Sequence, residues 1–177
     1  LSKLSPEQAA YHFMSGYTAK VAGTEMGVTE PQATFSTCFG APFMPRHPRV
    51  YADLLSEKIR ENDAKCWLIN TGWIAGGADA SSRIKINWTR NLLNAALNGD
   101  LENVVFVKDE RFGFEVPTTC DGVPEEILQP RETWDDKKKY DNVANLLAQM
   151  FIENFEQYSS GCSEEVRNSG PNQILVG

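Results

Sequence analysis

The feature that most constrains the fold is a short continuous apolar run, Cys66 to Ile69. A run that is apolar on both faces is typical of a strand covered on both sides. It follows a helical pattern from about Arg49 to Glu61 and precedes a glycine-bearing loop from Gly72 to Ser82. Helix, buried strand and glycine-bearing turn in this order predict an α/β fold, with a mixed sheet and flanking helices.

The first helix has a clear start signal. Ser5 and Gln8 match a capping box, and Pro6 suits the first helical turn. Gly23 is expected to end this helix. Its buried stripe is expected to consist of Ala10, Phe13, Met14 and Tyr17.

Further elements follow along the chain. A helix is predicted over Trp88 to Asn98, strands over Val104 to Val107 and Phe112 to Val116, and a long amphipathic helix over Tyr140 to Ser159. Residues 1–160 are expected to form one domain, and residues 161–177 a frayed polar tail. The side chains expected to face inward from the second and third helices are Tyr51, Leu54, Leu55, Ile59, Leu92, Leu93, Ala96 and Leu97.

A proline-rich stretch separates the first two helical patterns. Prolines between Thr29 and Pro48 make a long helix improbable there. Phe35, Phe39 and Phe43 recur every four residues. We expect a long ordered loop packed by these aromatic side chains, of the kind that often carries function.

Composition excludes several function classes. The chain has 177 residues and a net charge of −7, which argues against nonspecific binding to nucleic acid, because such binding needs a basic face. No apolar stretch approaches the roughly 20 residues of a membrane span. Four scattered cysteines without a Cys-x-x-Cys pair argue against a zinc site and favour a reducing compartment. We therefore expect a cytoplasmic chain that binds neither nucleic acid nor membrane.

One segment has the layout of a ligand site. A predicted strand ends near Asn70, a loop follows, and Arg83, Ile84 and Thr89 lie at the entry to a helix. Ligands of α/β proteins bind where strands end. An arginine can stack on a purine and an isoleucine can cover its apolar face. On the pattern alone, an ordinary surface arginine remains an open alternative.

The chain contains no Gly-Lys dipeptide and hence no Walker-type phosphate loop. Neither histidine, His12 or His47, has a nearby nucleophile in a recognisable motif. We interpret His12, which lies between aromatic residues, as a packing residue.

Several sequence segments in a fixed order resemble the ATP-dependent phosphoenolpyruvate carboxykinases. The series extends from about Leu4 to Pro130. Its members are 4–9, 11–13, 16–20, 22–25, 27–31, Cys38-Phe39-Gly40 with Phe43, His47-Pro48, Asn70-Thr71-Gly72-Trp73, Arg83-Ile84, Thr89-Arg90 and Gly122-Val123-Pro124. The resemblance implies the carboxy-terminal part of that family's mononucleotide-binding domain.

The resemblance also implies a reaction. The family converts oxaloacetate and ATP to phosphoenolpyruvate, ADP and carbon dioxide, with Mg²⁺ on the nucleotide and a second divalent ion, commonly Mn²⁺. The family's phosphate loop, metal ligands and oxaloacetate-binding arginines match no part of this chain. The resemblance therefore implies a fragment with no catalytic or metal-binding residue, inactive alone, whose partner is the remainder of the carboxykinase chain.

Carried over residue by residue, the resemblance leaves the adenine end of the nucleotide site. Arg83, Ile84 and Thr89 match nucleotide-contacting positions, and Thr24 and Phe43 match positions of the active-site wall. The loop before Arg83 is longer here than in bacterial relatives and has Ser82 in place of a common lysine.

Two alternatives stay open. One is a noncatalytic nucleotide-binding or scaffold module that kept the fold without the chemistry. The other is an unrelated α/β nucleotide or sugar-phosphate enzyme, which the missing phosphate loop disfavours.

Overall fold

The structure, a computed structural model, describes residues 1–20, 32–76 and 82–172. Its strands are β1 Ser2–Leu4, β2 Tyr17–Lys20, β3 Gln32–Phe35, β4 Cys66–Leu68, β5 Trp73–Ile74, β6 Ser82–Arg83, β7 Phe106–Lys108 and β8 Glu115–Pro117. Its α-helices are α1 Pro6–Ser15, α2 Pro48–Glu61, α3 Ile86–Asn98, α4 Glu125–Leu128, α5 Lys137–Ser159 and α6 Glu164–Arg167. Short 3₁₀ helices cover Thr37–Phe39, Ala41–Phe43 and Pro130–Thr133. The predicted α/β class with flanking helices is confirmed.

The chain divides into two compact units. Within the described residues, the sheet unit contains 1–4 and 67–147, and the aromatic unit contains the described residues of 5–66 and 148–172. The expectation of one domain over residues 1–160 stays a prediction. The segment expected to be a frayed tail contains α6, which Ser163 caps through its side chain, and Cys162 is buried. Residues 173–177 lie outside the described ranges.

The sheet unit is built on a four-stranded sheet in the order β4-β1-β8-β7. Strand β8 runs antiparallel to β1, with Lys3 opposite Glu115, and antiparallel to β7, with Val107 opposite Val116. The apolar run that begins at Cys66 forms β4 at the edge of this sheet. The prediction of a strand buried on both faces is therefore wrong, and Leu68 is exposed.

Helix α3 supplies the core of the sheet unit. Gly99 ends it in the left-handed conformation. Leu92 and Ala95 are buried in a cluster with Ile84, Leu101, Cys120, Val123 and Leu128. Leu93 and Leu97, which we expected to face inward, are exposed because the buried stripe passes through Ala95.

In the aromatic unit, α1 begins as predicted. The Ser5 hydroxyl accepts from the Gln8 amide at 3.2 Å, and the Gln8 side chain accepts from the Ser5 amide at 3.0 Å. The prediction that Gly23 ends the helix is wrong, because Gly16 caps it in the left-handed region at φ 59°. Tyr17 accordingly lies in β2, not on the helical stripe, and Gly23 itself lies outside the described residues.

The interior of the aromatic unit is formed by rings from α1 and α5. Tyr11 stacks on Phe155 with ring centroids 4.0 Å apart, and its hydroxyl donates to the Phe151 carbonyl at 3.2 Å. Phe35 of β3 meets Phe151 edge to face at 5.1 Å. Helix α2 buries Ala52, Ser56 and Ile59, whereas Leu54, which we expected inside, is exposed.

The proline-rich stretch forms two 3₁₀ turns instead of one aromatic-packed loop. Cys38 is buried, while Phe39 and Phe43 are exposed. Cys38 and Phe39 adopt positive φ values of 51° and 57°, which turn the backbone so that the small thiol faces inward. Phe35 packs against other rings as expected, whereas Phe39, although 6.5 Å from the ring of Phe13, stays largely exposed, as does Phe43.

None of the helices in the described ranges combines the length and apolarity that crossing a bilayer requires.

Candidate functional site

The predicted ligand segment forms a hairpin at the entry to α3. Strands β5 and β6 pair antiparallel, with Trp73 opposite Arg83. The Ile84 amide then donates to the Gly72 carbonyl at 2.9 Å, which extends the pairing by one residue. The hairpin thus places Arg83 and Ile84 directly before the first turn of the helix.

Asn70 fixes the start of this hairpin. Its Oδ1 accepts from the Gly72 amide at 2.8 Å, and its Nδ2 donates to the Trp73 carbonyl at 3.2 Å. Asparagine followed by glycine two residues later is a turn signal. This local signal is visible in the sequence and marks Asn70 as the residue that starts the turn.

Arg83 is exposed and lies against an aromatic ring. Its guanidinium carbon is 5.3 Å from the centroid of the Trp73 ring, within the range of a cation–π interaction. Lys85 lies similarly over Trp88, at 4.6 Å. The Arg83 guanidinium is therefore in contact range of Trp73 and at the same time exposed, so it remains accessible to a ligand. Trp73 was not among the predicted site residues.

Ile84 and Thr89 lie close to Arg83 in the chain but differ in exposure. Ile84 is only 7% exposed, because its side chain belongs to the core cluster with Leu92 and Leu101. Thr89 is half-buried in the first turn of α3. Of the three predicted nucleotide residues, Arg83 is therefore the one whose side chain is fully presented to a ligand.

The charges along α3 are separated. Arg83, Lys85 and Arg90 are exposed near its start. At its other end lies a cavity of about 960 Å³ whose lining includes Asp100, Asp121 and Glu125. Neither Arg83, Ile84 nor Thr89 lines this cavity. Because phosphates are anionic, the cationic start of the helix suits a nucleotide and the acidic cavity does not.

The end of β5 is held from another element. The Ala75 amide donates to the Thr133 hydroxyl at 3.2 Å, across 58 residues of sequence. Thr133 belongs to the 3₁₀ helix Pro130–Thr133, in which Arg131 binds Asp141 with two hydrogen bonds. Hydrogen bonds from Arg131 and then Arg111 hold the pKa of Asp141 below its ordinary value, against the opposing effect of burial. No local sequence signal pointed to these contacts.

The remaining predicted residues are not part of this hairpin. Phe43 is 85% exposed and lies in the aromatic unit, and Thr24 lies outside the described residues. The His12 imidazole meets the rings of Tyr11 and Phe151 at 5.5 and 5.0 Å. Burial lowers the pKa of His12 to about 4, so it is a packing residue that is neutral at neutral pH.

Within the part of the chain that the structure describes, no group of three or more His, Cys, Asp or Glu side chains is arranged to hold a metal ion.

Comparison with known proteins identifies the family. The family model described as phosphoenolpyruvate carboxykinase matches residues 1–126. Curated relatives named phosphoenolpyruvate carboxykinase (ATP) come from Caldanaerobacter subterraneus, 56% identical over 171 residues, and Thermus thermophilus, 57% identical over 171 residues. Each match covers 97% of this chain and 33% or 32% of the relative. A Ruegeria relative is 58% identical over 167 residues, 94% of this chain and 31% of its own length.

The chain thus spans about a third of the length of the curated relatives that it matches. The family model covers well over half of the chain. The protein therefore belongs to the ATP-dependent phosphoenolpyruvate carboxykinase family.

Proposed function

We propose that this chain acts as part of an ATP-dependent phosphoenolpyruvate carboxykinase, which converts oxaloacetate and ATP to phosphoenolpyruvate, ADP and carbon dioxide in the cytoplasm. The observation that carries the proposal is the 56–58% identity to carboxykinases over 94–97% of this chain. Residues 1–160 would be the carboxy-terminal part of the mononucleotide-binding domain, working with the remainder of the carboxykinase chain. A noncatalytic module gains no comparable support.

Within this enzyme, the β5–β6 hairpin supplies the adenine side of the ATP pocket. Arg83 stacks its guanidinium on the purine while Trp73 supports the opposite face, since the guanidinium already lies 5.3 Å from that ring. Ile84 forms the apolar base beneath Arg83. Thr89, in the first turn of α3, offers a hydroxyl to the nucleotide. Thr24 and Phe43 belong to the active-site wall, and the exposure of Phe43 supports its availability there.

Charge neutralisation at the transferred phosphoryl group requires Lys, Arg and divalent metal. In this family Mg²⁺ accompanies ATP, and a second divalent ion, commonly Mn²⁺, would supply further neutralisation of negative charge. The described residues provide no donor cluster that fits these ions. The residues that would hold them are therefore expected in the remainder of the carboxykinase chain.

The adenine assignment is tested in a full-length carboxykinase that contains this sequence. We expect Arg83→Ala to raise the KM for ATP about 5- to 30-fold, the effect of losing one stacked cation, with little change in the KM for oxaloacetate. Arg83→Lys keeps the charge but loses the planar group, so it should recover only part of the affinity.

Lys108→Ala is the matched control, because Lys108 is an exposed cation of the same unit at a distance from the hairpin in sequence. The isolated 177-residue chain serves as the blank and should form no phosphoenolpyruvate. An unchanged KM for ATP in Arg83→Ala would remove the adenine assignment. Turnover by the isolated chain would contradict the proposal that the chemistry lies in the remainder of the enzyme.

A further inference from the structure

The strained backbone just after β5 is held by a side-chain contact from a distant element. Ala75 has φ 65°, a left-handed conformation that a residue with a Cβ adopts only when its surroundings enforce it. Its amide donates to the Thr133 hydroxyl at 3.2 Å. The contact lies two residues after Trp73, the ring on which Arg83 rests.

The Thr133 hydroxyl is oriented for this contact. It donates its own hydrogen to the Pro130 carbonyl at 2.7 Å. A hydroxyl has one hydrogen and two acceptor lone pairs. Because the hydrogen is used within the 3₁₀ helix, a lone pair is left to accept from Ala75.

The 3₁₀ helix is in turn anchored to a buried carboxylate. Arg131 Nε and an Arg131 terminal nitrogen donate to Asp141 at 3.1 and 3.0 Å, and Arg111 donates to the same carboxylate at 2.9 Å. Arg111 and Asp141 are both 8% exposed. Lys137 Nζ donates to the Arg131 and Glu132 carbonyls at 3.0 and 2.9 Å, which closes the end of the turn. These hydrogen bonds therefore hold the 3₁₀ helix, and with it Thr133, in place beside Ala75.

We propose that Thr133 is a positioning residue for nucleotide binding: by accepting from the Ala75 amide, it holds β5 in the orientation that places Trp73 under Arg83 for the purine. This inference rests on the proposed adenine role of Arg83. Asn70 fixes the start of β5 from within the hairpin, and Thr133 fixes its end from outside. The two contacts together set the angle at which the guanidinium is presented.

The test uses Thr133→Val, which keeps the shape and removes the hydroxyl, in a full-length carboxykinase that contains this sequence. We expect the KM for ATP to rise about 2- to 10-fold, the effect of one hydrogen bond, while kcat stays within about 2-fold because no reacting group is touched. Thr133→Ser restores the hydroxyl and should restore the KM.

Thr118→Val is the matched control. Its hydroxyl also donates to a backbone carbonyl of the sheet unit, that of Val105 at 2.9 Å, which lies outside the hairpin. It should leave the KM for ATP unchanged. If Arg83→Ala raises the KM for ATP and Thr133→Val does not, the positioning role is wrong while the adenine assignment stands. A rise that Thr133→Ser fails to restore also overturns the role of the hydroxyl.

Amide exchange provides a second measurement should Thr133→Val fail to fold. In the unmodified 177-residue chain, the Ala75 amide should exchange more slowly than an exposed loop amide, because its hydrogen bond must first open. Exchange of Ala75 at the unprotected rate would overturn the inference without any variant.

Discussion

The β5–β6 hairpin of the sheet unit and the interior of the aromatic unit are stabilised by different interactions. Hydrogen bonds from Asn70 and Thr133 hold the hairpin, and such bonds contribute about 0.5–1.5 kcal/mol each. The aromatic unit buries Tyr11, Phe151 and Phe155, and each such ring removes about 150–250 Å² from water. Substitutions in the aromatic unit should therefore reduce stability, whereas substitutions at the hairpin should mainly change ligand affinity.

The largest loss of stability is expected on substitution of Gly16, which ends α1, in comparison with Gly99, which ends α3 in the same left-handed conformation. A Cβ on Gly16 would meet the Ser36 carbonyl oxygen at 1.7 Å, whereas a Cβ on Gly99 would find no atom closer than the flexible Glu102 side chain at 3.4 Å. We expect Gly16→Ala to cost about 4 kcal/mol or more, since a backbone clash adds to the strain. Gly99→Ala should cost only about 1–2 kcal/mol of strain.

Urea unfolding of the two variants measures this difference. Both glycines have positive φ, so strain alone would affect them alike. Equal losses of unfolding free energy would show that the closeness of Ser36 adds nothing to the cost of a Cβ on Gly16.

The next effect is the pH dependence of the aromatic unit. The folded chain holds His12 neutral with a pKa of about 4, whereas an unfolded histidine binds a proton below about pH 6.5. Falling pH therefore favours unfolding, and the stabilising effect of high pH is lost between about pH 6.5 and 4. At pH 4, protonation of His12 in the unfolded chain lowers the free energy of unfolding by about 3 kcal/mol.

Urea unfolding at pH 7 and pH 4 tests this. His12→Gln should lose about 3 kcal/mol less than the unmodified chain over that interval. The unmodified chain, unfolded at the same two pH values, is the reference. If His12→Gln loses as much unfolding free energy between pH 7 and pH 4 as the unmodified chain does, groups other than His12 cause the sensitivity to acid.

The smallest effect on stability is expected at the hairpin. Asn70→Ala removes two hydrogen bonds and should cost about 1–2 kcal/mol of unfolding free energy, the lower part of the range for two bonds because both are exposed to water. In the full-length enzyme it should raise the KM for ATP about 2- to 10-fold.

Asn62→Ala is the matched control, because the Asn62 amide also donates to a backbone carbonyl, that of Lys58 at 2.9 Å, but at the end of α2. It should leave the KM for ATP unchanged. The comparison between the units would fail if Asn70→Ala lost several kcal/mol of stability while the KM for ATP stayed constant.

The sequence predicted features that depend on local chemistry. The capping box of Ser5 and Gln8 involves residues three positions apart, and both of its hydrogen bonds are present. The end of α1 was placed too late because apolar spacing continues to Tyr17, whereas the conformation of Gly16 ends the helix. Helical spacing also failed at Leu97, since the packing of the sheet unit selects Ala95 for the buried face.

The same limit applies to the candidate site. Arg83, Ile84 and Thr89 were identified through family resemblance and position after a strand, and their role remains a prediction. The support of Arg83 by Trp73 depends on the cross-strand register, and the contact of Ala75 with Thr133 crosses 58 residues. Neither arrangement has a periodicity or motif that a single sequence displays.

All four cysteines are free, and burial raises the pKa of each thiol. Because the thiolate is the reactive form, alkylating reagents will modify the native chain slowly. Cys120 lies in the sheet unit, and Cys38 and Cys162 lie in the aromatic unit. The labelling rate at each of these sulfurs therefore reports how often its own surroundings open. The opening rates of the sheet unit and of the aromatic unit can thus be measured separately, without an added probe.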